Sequence, residues 1–465
     1  MLADALAPHG GIVLWRAFVY DTTIDADRAK CGYKEFVPLD GKFQPNVFVQ
    51  VKNGPIDFQP REPFHPLFGA MTQTPLALEL QITQEYLGQS IHLVYLAGMW
   101  KEILDSETYA QGPCSAITRL VIARSGLRDE AIPDAELEIA CFGFAQHRKM
   151  RSFAMTWAEQ LPGSTVARVV DGSLYGHSIS SIVGVANTGS DRNWCGHHFA
   201  QANWYAFGRL GWDCDLSADA IADEWIRMTW SNDSFVLDAI KAMMLGSWEA
   251  CVNYMTPLGL HHIMQAGHHY GPDPAFNAAP RLDWNNVYFH RADTKGLGFD
   301  RSSKGSNAIS QYHSPLREQF DNIDTCPEKF LLWFHHVPWG HRLQSGNITT
   351  QTVIASGAKQ SPNRNAEIAS SQSFDSASLR SGSLLAMTQD EQSLGNTLWE
   401  ELQHRYDAGV GFVETMRGIW QGLQDRIDPQ RHAHVSARLE QQLENACLWR
   451  EVCVKYFGRF VTLER

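Results

Sequence analysis

The chain has 465 residues, 44% of them hydrophobic and 11% aromatic, enough to bury a large core in two or three domains. A formal net charge of −12 and an isoelectric point of about 5.9 leave no basic stripe, which argues against nucleic acid or an anionic membrane as a partner. No apolar run reaches membrane-spanning length, and the opening Met1-Leu-Ala-Asp-Ala-Leu-Ala-Pro-His9 lacks the regions of a signal peptide, which points to the cytoplasm.

The first expected element is a strand over Gly11–Tyr20, an apolar run rich in β formers. A second run starts at Asn46, alternates apolar and polar residues, and breaks at Gly54 and Pro55 just before Asp57. A third, from Leu76, has the same alternation and closes on Glu85. If these are neighbouring parallel strands, both acids lie at carboxyl ends, where barrel enzymes keep their active sites. Paired carboxylates there suit glycoside hydrolysis. A fourth strand is expected over Ser178–Asn187, followed by a helix over Phe199–Gly208. Four βα units make half of a (β/α)8 barrel, spanning 1–215 and interrupted by an insert near 114–163.

Beyond Asp215 the periodicity turns helical, giving a mainly α-helical domain over 216–465, interrupted by an insert near 348–395. Ser217 is placed to cap a helix with Ile221, Trp225 and Met228 on one face and Asp219 at the positive end of its dipole. Further helices are expected over Phe235–Tyr254 and Leu398–Ile427, and a last one carries Val435, Leu439, Leu443, Ala446, Val452, Tyr456 and Phe457.

Two segments fit neither pattern and resemble each other. One runs from Val121-Ile-Ala-Arg-Ser-Gly126 to Ser152-Phe-Ala-Met-Thr156, the other from Val353-Ile-Ala-Ser-Gly357 to Ser383-Leu-Leu-Ala-Met-Thr388. They read as copies of a mobile repeat, the alternative being two ordinary long loops alike by chance. The second lies within an insert near 348–395 whose polar composition cannot offset an ordering entropy of about 1–2 kcal/mol per residue, so disorder is expected there.

Nine cysteines without CxxC spacing read as reduced, buried thiols. The pairs His197-His198, His261-His262, His268-His269 and His335-His336 invite a metal reading. Adjacent histidines point apart, however, and no HExxH motif is present. They read instead as hydrogen-bond donors around a polar mouth, with no metal and no cofactor.

Several blocks around these residues closely resemble the bacterial α-glucuronidases of glycoside hydrolase family 67. They include Leu39-Asp-Gly-Lys-Phe43, Val51-Lys-Asn-Gly-Pro-Ile-Asp-Phe-Gln-Pro-Arg-Glu-Pro63, Gln84-Glu-Tyr-Leu-Gly-Gln89, Leu258-Gly-Leu-His-His-Ile-Met264 and Tyr288-Phe-His-Arg-Ala-Asp-Thr-Lys295. The likeness covers nearly the whole chain outside the inserts. It implies inverting release of α-1,2-linked glucuronic acid, or its 4-O-methyl ether, from xylooligosaccharides. One carboxyl would protonate the leaving oxygen and a carboxylate roughly 6.5–9.5 Å away would activate water.

Asp57 and Glu85 match the base side of the family. Arg16 and Lys52 would hold the uronate carboxylate, and Trp284, Tyr288, Arg291 and Lys295 would complete a sugar subsite. The resemblance also implies a homodimer through the helical domain. The four units would be the last four of the barrel, and the general-acid glutamate that ends the family's fourth strand has no counterpart here. Glu35 is the first glutamate, and Asp4 lies in an unmatched leader. The expectation is therefore a glycosidase, active alone by an irregular route or after assembly with a separate N-terminal fragment, or a silent remnant that binds acidic oligosaccharides or dimerises.

Overall fold

The β formers near the start of the chain pair as predicted, over shorter spans. Strands β1 (Val13–Arg16), β2 (Val47–Lys52), β3 (Leu76–Gln81) and β4 (Ser181–Val185) form one parallel sheet in sequence order. The structure, a computed structural model, describes residues 1–19, 21, 23–110, 165–177, 181–186, 193–344 and 395–461, with the backbone alone of an antiparallel hairpin over 136–139 and 148–151. Apart from that hairpin, the two look-alike segments lie outside the described residues, as does 348–394, where disorder is expected.

Every position of β2 and β3 is buried. Alternation here separates two covered faces rather than a wet face from a dry one, the usual state of a parallel sheet. By contrast β1, at the sheet edge, is shorter than the expected 11–20. Its ladder with β2 ends where Ala17 N–H donates to Gln50 O, and Trp15 and Phe18 are 56% and 51% exposed.

Helix α1 (Arg28–Phe36) joins β1 to β2, its first turn capped by the Asp27 carboxylate, which accepts from Ala29 N at 3.1 Å. A short turn over Leu67–Ala70 joins β2 to β3, α2 (Ala97–Leu104) follows β3, and α3 (His198–Trp212) follows β4. These are four βα units, a partial (β/α)8 barrel.

Helix α4 (Ala218–Thr229) has Ser217 as its N-cap, accepting from Ala220 N at 3.1 Å. Ile221 and Trp225 are buried as expected, but Met228 is 65% exposed and Ala222 and Ile226 take the inward stripe. Helices α5 (Ser234–Met255), α6 (Leu398–Gln421) and α7 (Pro429–Phe457) complete the bundle. On α7 the buried seam runs Val435, Leu439, Gln442, Ala446, Trp449 and Cys453. Val452 falls outside this 3.6-residue stripe, and Trp449 and Cys453, which the pattern reading had passed over, lie in it.

The helical period does not hold throughout this half. Between Thr256 and Gln344 the described chain forms only short helical turns, such as Asn286–His290 and Leu316–Asp321, and one antiparallel pair of two-residue strands, Gly296–Leu297 with Val337–Pro338, around an aromatic core of Phe289, Phe299, Trp333 and Phe334. Prolines and glycines interrupt any long helix there. This irregular stretch reaches back to the barrel: fully buried Arg301 pairs with Asp27 at 3.1 Å, and Tyr288 Oη donates to Ala26 O at 2.8 Å and accepts from Arg28 N at 3.0 Å. The seven described cysteines are free thiols, six of them buried. Among the described residues no helix is long and apolar enough to cross a membrane.

Candidate active site

Parallel pairing sets Arg16 level with Gln50 and Lys52 level with Glu79. Residues in register share a face, so this row of polar side chains lies along one side of the sheet. Glu79 is fully buried and accepts from Arg16 Nε at 2.9 Å, from Arg16 Nη2 at 2.5 Å and from Gln50 Nε2 at 2.7 Å. Lys52 bonds Asp57, which stands five residues past it in the following loop, and its ammonium lies 4.3 Å from the Phe18 ring centre and 4.8 Å from that of Phe58. Burial pulls the Lys52 pKa down, and the carboxylates of Asp57 and Glu79 oppose it.

Asp57 has two more neighbours at its other oxygen: Tyr86 Oη donates to Oδ2 at 3.1 Å, and Arg28 Nη2 lies 3.9 Å away. Burial, with the charges of Asp57 and Glu85, holds the Tyr86 hydroxyl well above its ordinary pKa, so it stays a neutral donor. Glu85 is bonded by Gln81 Nε2 at 3.0 Å and by His269 Nδ1 at 2.9 Å. The His269 ring stacks on Tyr86 at 4.6 Å. Tyr86 and His269 thus connect the two predicted acids.

A cavity of about 320 Å³ opens beside this cluster, lined by Arg28, Asp57, Tyr86, His262, His269 and Trp284 among others. Trp284 is half exposed at its rim, with the Arg281 guanidinium 4.9 Å from its ring centre. Burial keeps His262 a neutral imidazole.

The structure does not bring the other three subsite candidates to the cavity wall. Tyr288 is buried against Arg28, Arg291 lies 3.5 Å over the Phe299 ring, and exposed Lys295 bonds Asp293 through its backbone. Nor do the histidine pairs form a common polar mouth. His197, His261 and His335 are buried and bond the backbone carbonyls of His92, Gly259 and Phe320, because a buried imidazole needs a partner. Among the described residues no group of three or more candidate ligands could hold a metal ion.

Sequence reasoning missed Glu79, Arg28 and Tyr86. The first had a signal: a glutamate two residues from Gln81 in a strand buried on both faces must lie in a polar row. Arg28 had none, because its approach to Asp57 depends on contacts from Tyr288 and Asp283, more than 250 positions away.

Acids that follow the carboxyl ends of parallel strands, interleaved with cations and aromatic rings, mark the face on which barrel enzymes place their sites. Comparison with known proteins narrows the class. The description "Glycosyl hydrolase family 67 middle domain" matches residues 1–132, and "Glycosyl hydrolase family 67 C-terminus" matches 195–370 and 386–465. "Alpha-glucuronidase A" of Emericella nidulans is 35% identical over 98% of this chain. "Probable alpha-glucuronidase A" of Aspergillus clavatus is 34% identical and that of Aspergillus flavus 33%, each over 98% of this chain. The chain belongs to glycosyl hydrolase family 67, and it spans 43% of the length of each of these fungal relatives.

Proposed function

We propose that the chain supplies the water-activating side of an inverting α-glucuronidase that releases glucuronic acid, or its 4-O-methyl ether, from α-1,2-substituted xylooligosaccharides. The observation that carries this reading is the arrangement around Asp57: a carboxylate past the end of β2, open to a cavity, with Lys52, Arg28 and Tyr86 around it. Asp57 or Glu85 takes the proton of the attacking water. Arg16 and Lys52 exchange their present carboxylate partners for the substrate's uronate, which a guanidinium holds in bidentate fashion. Trp284 offers the rim a flat apolar face for a pyranose ring.

The test is hydrolysis of aldouronic acids by the purified chain, alone and with the portion of a longer relative that it does not match. Release that is abolished in Asp57→Ala is the expected result. A glucuronyl fluoride, which needs little help from an acid, should still turn over where the natural substrate does not. Binding of aldouronic acids without hydrolysis of either substrate supports the other reading, a subunit or remnant that only binds acidic oligosaccharides. Pairing with a separate N-terminal fragment and dimerisation through the helical domain belong to this proposal, and sedimentation velocity decides both.

A further inference from the structure

Glu62 takes no part in the chemistry proposed above, yet it is 2% exposed and has no cation partner among the described residues. Its neighbour Arg61 turns away to Glu249 and Glu102. All its bonds go to the backbone of the loop that carries Asp57: Oε2 accepts from Ile56 N at 2.7 Å, and Oε1 accepts from Asp57 N at 3.1 Å and Gln59 N at 2.8 Å. Three amides within four residues therefore converge on one carboxyl group.

The chain makes room for this contact. A Cβ on Gly54 would lie 2.4 Å from the Glu62 Cβ and from its Oε2, so only glycine lets the loop pass. Phe58 sits in the left-handed region, at φ 53°, a conformation a bulky residue holds only when its surroundings fix it. The Gln59 side chain completes the loop, donating to Asp57 O at 3.3 Å and accepting from His262 N at 2.7 Å.

We propose that Glu62 is a positioning residue that fixes Asp57 against Lys52 and Tyr86 by gathering the amides of Ile56, Asp57 and Gln59 onto its buried carboxylate. This role rests on the reading of Asp57 as a base-side carboxylate. In Glu62→Gln one acceptor oxygen becomes an NH2 group facing a backbone N–H, so at least one of the three bonds is lost while volume is kept.

The experiment measures amide exchange by mass spectrometry together with hydrolysis of a glucuronyl fluoride, in the full chain and in Glu62→Gln. Exchange over residues 54–60 should rise about tenfold with the remaining segments unchanged. Turnover should fall about 10²-fold with little change in KM, as expected when a reacting group is displaced by roughly an ångström. Gly54→Ala, which attacks the same contact from the other side, should reproduce both effects and keeps the test readable if Glu62→Gln does not fold. Unchanged exchange over 54–60 in a folded variant overturns the proposal, as does raised exchange with undiminished turnover. Failure of the base reading is separate: it appears as wild-type turnover that Asp57→Ala leaves intact, while the exchange measurement still decides whether Glu62 holds the loop.

Discussion

Two buried charges make predictions at the scale of single residues. Arg301 and Asp27 pair out of contact with water, and Arg301 Nη1 also donates to Trp333 O at 2.8 Å. Replacing such a pair with apolar groups is often harmless, but removing one partner strands the other in a medium that cannot solvate it. Arg301→Met should therefore lower unfolding stability by about 3–5 kcal/mol in a urea titration. Glu62 gives a pH signature. Burial pushes its carboxyl up from an ordinary 4.5 to about 7, against three backbone donors that favour the anion. Between those values the folded state binds a proton that the unfolded chain has released. The stability linked to this proton is full below pH 4.5 and is lost as pH rises through 7, with a span on the order of 3 kcal/mol. Glu62→Gln should flatten the slope of melting temperature against pH in that window.

At the scale of elements, close helix packing makes the sharpest prediction. Gly409 lets α6 cross α5 so tightly that a Cβ there would stand 2.5 Å from Tyr254 N and 2.9 Å from Ala250 O. Both obstacles are backbone and cannot swing aside. Gly409→Ala should cost about 1–3 kcal/mol by overpacking, seen as a lowered thermal midpoint. The elements also differ in how far they could be read in advance. Strands β2 and β3 were legible because a short apolar run with polar alternates has few other solutions, and the cap at Ser217 marks its helix start through a local hydrogen bond. Periodicity fixed the existence of α7 but not its buried seam, since Val452 and Cys453 are one step apart and only contact with the neighbouring helices decides between them. The region from Thr256 to Gln344 offered no element to read, because its order comes from aromatic packing and long-range backbone bonds, which leave no period behind. The same holds for the site: Asp57 and Glu85 follow directly from strand ends, whereas Arg28 and His269 arrive from distant positions.

At the scale of the whole molecule, the open sheet meets solvent along β1. Trp15 stands exposed on this edge strand, and a strand whose outer edge has no partner strand among the described residues, carrying an exposed apolar ring, favours association. Trp15→Lys should reduce concentration-dependent self-association in sedimentation velocity. The other large-scale feature is the Gln59 bridge, whose amide touches the backbone of Asp57 on one side and of His262 on the other. His262 belongs to the irregular stretch after α5, so one side chain registers the docking of two distant parts of the chain. A ligand that needs Asp57 in place must strengthen the docking by the same free energy by which docking strengthens its own binding. Damage to the irregular stretch around His262, away from the carboxylate itself, would then be felt first as weakened affinity.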